Sequence, residues 1–204
     1  MPDRSEYIEV PRRGVTGMAA AAFAIIALLA TATQLAAQGL EKGAGGIGQS
    51  AVHFYEPSGS YFQLIRDQRG DRTGHSWREA MQRAKRFDYK GRTARLAVVD
   101  NRALHRWLVR TFRLRGATWI GLRYWCSYRQ LSWVTGDAQP FDDFGAWGSP
   151  WYRKWNCDTG NFAYMPVYYT DGTARWKASG PKKAFRYYLV EYPPRGEASD
   201  TEKG

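Results

Sequence analysis

Between Trp147 and Tyr169 the chain concentrates aromatic rings with cations among them: Trp151, Tyr152, Trp155, Phe162, Tyr164, Tyr168 and Tyr169, with Arg153 and Lys154. Aromatic faces stack on the C–H side of sugar rings, and neighbouring cations bind acidic substituents. The run Trp151-Tyr152-Arg153-Lys154-Trp155 is therefore the candidate contact surface, since charges beside rings favour exposure over burial. Trp119, Trp133, Trp147 and Trp176 are expected to fill the core instead. No Ser/His/Asp or Cys/His grouping emerges, the three histidines are scattered, and the sequence offers no zinc ligand set. The reading is of a binding module, not an enzyme, with no cofactor.

The two cysteines, Cys126 and Cys157, pair as a disulfide in an oxidising compartment; two inert free thiols are the alternative. The compartment is suggested by the apolar run Met18–Ala37, which follows Arg12-Arg13 and precedes a Gly-rich stretch, the anatomy of a secretory signal peptide. An uncleaved anchor is the rival, and only then does the chain touch a membrane. In either case the folded part is expected to be exported: periplasmic, secreted or on the cell surface. The formal net charge is +11, and residues 1–38 carry equal numbers of each sign, so the excess lies wholly downstream. Such a field attracts anionic partners. Single-stranded nucleic acid fits basic charge with interleaved aromatics, but an exported protein rarely meets it.

These residues must be positioned by a scaffold whose elements are readable. Residues 1–38 are the signal or anchor, 39–50 a flexible Gly-rich linker, 51–192 the folded domain and 193–204 a disordered tail. Val52–Tyr55 and Tyr61–Ile65 read as a hairpin around Pro57-Ser58-Gly59. Ser76-Trp77-Arg78-Glu79 is a capping box, followed by Trp77, Ala80, Met81, Ala84 and Phe87 on one helical face. Leu96–Val99 reads as a short strand, and Asp100 or Asn101 caps a second helix with Leu104, Trp107, Leu108 and Phe112 inward. Strands follow at Thr118–Leu122, Gln130–Val134 and Phe185–Tyr192, leaving 136–180 as a long connector of the kind that carries function. This order gives an α+β fold with antiparallel sheets.

In that order the motifs resemble those of C-type-lectin-like domains: Ser76-Trp77 with Glu79-Ala80 in the first helix, Arg95-Leu96-Ala97 ahead of the second, and Trp119-Ile120-Gly121-Leu122 as the core strand. Trp133 with Gly136, Phe144 with Trp147, Asp171-Gly172 leading to Trp176, and Leu189-Val190-Glu191 continue the series over about residues 60–192. The resemblance implies two helices flanking two small antiparallel sheets, with 136–180 as the ligand-bearing loop. It also marks departures. Ala84 and Val190 stand where the family places a disulfide, so they are expected to pack. Cys126 and Cys157 would form a rewired bridge clamping the long loop. The family's calcium triplets become Ser149-Pro150-Trp151 and Trp176-Lys177-Ala178, which lack the acids that calcium needs; Gln139-Pro140-Phe141 falls too early. Asp142, Asp143, Asp158 and Asp171 could assemble another site but are expected to cap turns. The resemblance thus implies a calcium-independent module for a glycan, an anionic polysaccharide or another envelope component. The alternative is a protein-interaction or structural envelope protein without a sugar site.

Overall fold

The computed structural model describes residues 41–43, 47–67, 74–148, 157 and 161–196. The apolar N-terminal run and the end of the expected tail, 197–204, lie outside the described residues. Among the described residues no helix is long and apolar enough to cross a membrane.

Strands β1 (Glu41–Gly43), β2 (Ile47–Gln49), β3 (His53–Tyr55) and β4 (Ser60–Asp67) come first. β5 (His75–Ser76) leads into helix α1 (Trp77–Ala84), and β6 (Arg95–Leu96) precedes helix α2 (Arg102–Phe112). Then follow β7 (Thr118–Trp125), β8 (Gln130–Trp133), β9 (Ala138–Gln139), β10 (Tyr164–Tyr169), β11 (Trp176–Ala178), β12 (Ala184–Phe185) and β13 (Tyr187–Tyr192). The main sheet runs β1-β2-β4-β13-β7-β10-β11; β3 joins β4, β6 joins β13, and β8 joins both β7 and β9. β5 and β12 form a separate two-stranded ladder.

Both helices form for the reasons their sequences give. The Ser76 hydroxyl accepts from Glu79 N–H while the Glu79 carboxylate accepts from Ser76 N–H, which satisfies two orphan amides of α1 and lowers the Glu79 pKa. Asn101 Oδ1 accepts from Leu104 N–H at 2.9 Å, and α2 ends where Arg113 turns to the left-handed φ of 44°. Two apolar clusters follow from strand alternation. On β13, Leu189 joins α2's Leu104, Leu108 and Phe112, whereas Tyr188 and Val190 join α1's Trp77, Ala80 and Ala84. On β7, Ile120 and Leu122 face the first cluster and Trp119 the second. Ala84 and Val190 are both fully buried in that second cluster, where apolar packing takes the place of a covalent staple.

Between these faces Gly121 is hemmed in: an added Cβ would lie 2.8 Å from the Leu96 carbonyl oxygen and 3.0 Å from that of Ala97. The close approach is needed because Gly121 N–H donates to Ala97 and its carbonyl accepts from Val134 N–H. The carboxylate of Glu191, on the far strand, accepts from Ser60 Oγ (2.9 Å), Arg95 Nε (3.1 Å) and Nη2 (3.3 Å), and Val98 N–H (3.1 Å).

Four expectations change. The 39–50 stretch is not all linker: β1 and β2 pair antiparallel and β2 adds to β4, so edge pairing orders part of a segment that composition marks as flexible. The 136–180 stretch is not all connector, because β9, β10 and β11 lie in it and β10 pairs directly with the core strand β7. The strand expected at Leu96–Val99 is confined to Arg95–Leu96, since Val98 N–H is taken by a side chain. The tail's first residues are held too, Arg195 Nη2 donating to the Lys90 carbonyl at 2.9 Å.

Replacing a buried, multiply bonded carboxylate leaves its cation uncompensated. The Glu191→Gln variant is expected to lose about 3 kcal/mol of folding stability, read from its urea midpoint. An unchanged midpoint would remove Glu191 from this role.

Candidate functional site

The candidate surface Trp151-Tyr152-Arg153-Lys154-Trp155 lies outside the described residues, as do Asp158 and Ser149-Pro150. What the structure describes is the ground on which that segment's two ends are fixed. At one end Gly148 N–H donates to the Trp176 carbonyl at 3.2 Å. At the other, Cys157 is disulfide-bonded to Cys126, with Cα atoms 5.7 Å apart. Cys126 N–H in turn donates to Ala163 at 3.1 Å, where the chain returns to start β10.

Cys126 stands on the β7–β8 hairpin, and this tip has its own chemistry. Register aligns Tyr164 of β10 with Trp125 of β7, and Trp125 with Gln130 of β8. Arg123 points to the same side and is sandwiched, its guanidinium 4.2 Å from the Trp125 ring centroid and 5.5 Å from that of Trp77. Cation–π contacts of this kind contribute about 0.5–2 kcal/mol, more as water is excluded. Burial pulls the Arg123 pKa down, yet a guanidinium stays charged at any working pH. Trp125 Nε1–H donates to Ser132 Oγ at 3.0 Å, which fixes the indole plane. Tyr164 packs edge-on at 5.8 Å and Tyr128 at 6.4 Å. Tyr128 is 76% exposed, and Arg129 beside it is exposed with a left-handed φ of 51° that closes the turn. The tip therefore presents an aromatic platform with two cations, and a disulfide attaches the aromatic stretch to it.

The remaining rings of the 147–169 span are divided by burial. Tyr169 is fully buried in the α2-side cluster, and Tyr168 packs on Trp119 and Phe185. Trp119, Trp133 and Trp176 are buried as expected, while Trp147 is only half-buried, edge-on to Trp176 at 5.4 Å. Sequence reasoning missed Arg123, Trp125, Tyr128 and Arg129 as surface residues. The signal was present in Arg123-Tyr124-Trp125-Cys126-Ser127-Tyr128-Arg129, the same mixture of rings and cations, directly after the core strand.

Asp171 Oδ1 accepts from Gly116 N–H at 2.7 Å, a long-range bond across the fold and not the local turn cap expected of it. Asp142 and Asp143 are exposed, and Lys177 sets an ammonium on β11 beside buried Trp176. Among the described residues no group of three or more His, Cys, Asp and Glu could hold a metal ion.

Human lithostathine matches the structure with a TM-score of 0.52 at 15% identity, covering 78% of this chain and 99% of that one. The structure of SPL-1 complexed with GlcNAc matches with a TM-score of 0.50 at 14% identity, covering 72% of this chain and 93% of that one. The chain has the C-type-lectin-like fold. No protein-family model matches the sequence, and no curated protein matches it. Within the C-type-lectin-like fold seen here, the two helices flank the β13–β7 centre, and the single disulfide among the described residues is placed at the hairpin tip. Because both cysteines are bonded, neither supplies a thiol nucleophile.

The bridge spans a sequence separation of 31. Loop-closure entropy for that length corresponds to about 3–4 kcal/mol. The Cys126→Ala/Cys157→Ala double variant is expected to lose stability up to that amount in guanidinium titration while keeping its far-ultraviolet circular dichroism. A loss of the whole fold would mean that the bridge organises more than the loop.

Proposed function

We propose that this chain is an exported, calcium-independent binding module that recognises a glycan or another anionic envelope component. Its contact surface is the β7–β8 hairpin tip together with the Trp151–Trp155 stretch. The observation that carries this reading is the Cys126–Cys157 bridge, which fastens that stretch to a tip already presenting Trp125, Tyr128, Arg123 and Arg129. Trp155 stands two positions before Cys157, so the covalent chain ties it to the platform. Flat rings supply stacking faces for the sugar, and the guanidinium and ammonium groups select acidic substituents. The net charge of +11 raises the encounter rate with such polymers.

Calcium independence is supported by the chemistry of the positions concerned. Trp176-Lys177-Ala178 offers a cation where the resemblance places acids, and Asp171 is committed to Gly116. Export is supported by the apolar N-terminal run and the disulfide, since such bridges persist in oxidising compartments.

A glycan array probed with residues 39–204, with calcium and with chelator, tests the reading. Binding is expected to survive chelation and to weaken about tenfold in Tyr128→Ala, Trp151→Ala or Trp155→Ala, the effect of one lost stacking partner. Loss of binding on chelation would overturn calcium independence and direct attention to the aspartates. Silence on every glycan would overturn the sugar reading in favour of a protein partner.

A further inference from the structure

A second feature shares no residue with the hairpin tip. A pocket of about 260 Å³ lies between α2, the Phe144–Ala146 segment and the Thr173–Arg175 turn. Its polar lining is Arg102, Arg106, Arg175, His105 and Thr173; its apolar walls include Phe144 and Val109. No aspartate or glutamate lines it. Three arginines line one pocket with no carboxylate in its lining, so like charges share it and an arriving anion relieves their repulsion.

The pocket's arrangement is built rather than incidental. Arg102 and Arg106 stand one helical turn apart on α2, so they share a face. Arg102 lies over the Phe144 ring at 5.7 Å, which orients it along the pocket wall. His105 stacks on Tyr169 with an interplanar angle of 20° and places Nδ1 2.9 Å from the Tyr169 hydroxyl. Burial pushes the Tyr169 pKa far up, so the phenol keeps its proton and can donate it to Nδ1. In the tautomer where Nδ1 accepts from the phenol, Nε2 carries the hydrogen, a donor suited to an oxyanion.

We propose that this pocket binds a phosphate or sulfate group in esterified form, held by Arg102, Arg106 and Arg175, with its carbon-bearing part against Phe144 and Val109. Guanidinium forks match the oxygens of tetrahedral anions in pairs. A water takes about 30 Å³, so the volume exceeds what one tetrahedral anion fills, and the apolar wall suits the group that carries it.

Proton linkage follows. The charged and titratable groups around His105 are Arg102 and Arg106 on its own helix, Arg175 from the turn and Tyr169 from β10. Burial first, then Arg175, Arg102 and Arg106, holds the imidazole below its ordinary value. A bound anion offsets the repulsion and raises that value, so binding takes up a proton and affinity climbs as pH falls.

The test is calorimetric titration of the oxidised full chain with inorganic sulfate, inorganic phosphate, glucose 6-phosphate and glucose. One saturable site is expected for the anions, tightest for the sugar ester, and none for glucose. Arg106→Ala and Arg175→Ala, both exposed positions, are expected to keep the wild-type melting temperature and to weaken binding tenfold or more, the scale of a charge-assisted hydrogen bond. Lys85→Ala, at an exposed position outside both surfaces, is expected to leave it unchanged, which separates the pocket from a general effect of net charge. Sulfate, which does not titrate near neutrality, is expected to bind more tightly at about pH 5.5 than at about pH 7.5, and His105→Asn to flatten that dependence. No saturable binding, or binding indifferent to both arginine variants, overturns the site. Inorganic anions binding while the ester does not overturns the esterified ligand, and a flat wild-type pH profile overturns placement beside His105.

Discussion

The carboxylate of Glu191 is buried where distant parts of the chain meet, and it is bonded to all of them at once. A carboxylate in that position is tolerated only when hydrogen-bonded and paired. Ser60 reaches it from β4, Arg95 from β6, and Val98 N–H from the segment entering α2. Its strand, β13, pairs with β4, β6 and β7, and its neighbours Leu189 and Val190 point into opposite cores. Slipping the register by one residue would bring an apolar side chain to the bonded position and turn Glu191 into a greasy cluster. This polar knot thus specifies the register that sends α1 to one face and α2 to the other.

With that centre fixed, cross-links can be used elsewhere. Ala84 and Val190 pack α1 onto β13 without a covalent link, and Trp77 Nε1–H donating to the Ile120 carbonyl and Trp119 Nε1–H to that of His75 tie the same region to β7. The Cys126–Cys157 bridge is free to serve the hairpin tip. Rings in the two clusters satisfy the core, Trp77 under Arg123 among them, while Trp125 is half-buried and Tyr128 is exposed at the hairpin tip. On the α2 side, the pocket of arginines grows from the exposed face of a helix whose other face is core.

Much of the scaffold was legible because local signals agreed with the global fold. Ser76 with Glu79, Asn101, and the apolar spacing behind each announce both helices. Trp119–Leu122 reads as a core strand because it is one. β10 was hidden by its composition: Pro166 interrupts it, and its register shifts between Pro166 and Tyr168, so period-two alternation is blurred. β1 and β2 are too short to signal alone, and become strands only by pairing, β2 with β4 and β1 with β2. The hairpin-tip platform mixes a partly buried arginine with rings that read equally as core. The arginine-lined pocket was not readable at all, since Arg175 joins Arg102 and Arg106 in one lining only through the fold.

The proposed calcium-free contact surface depends on the Cys126–Cys157 bridge, which joins the 151–155 stretch covalently to the hairpin tip. Amide chemical-shift mapping of the ¹⁵N-labelled, oxidised protein, titrated in chelator with an acidic glycan, tests it most directly. Shifts are expected to concentrate on Trp125–Gln130, Tyr164 and the residues flanking Cys157, and to vanish together in the Cys126→Ala/Cys157→Ala variant. Shifts confined to another face, or unaltered without the bridge, would contradict it.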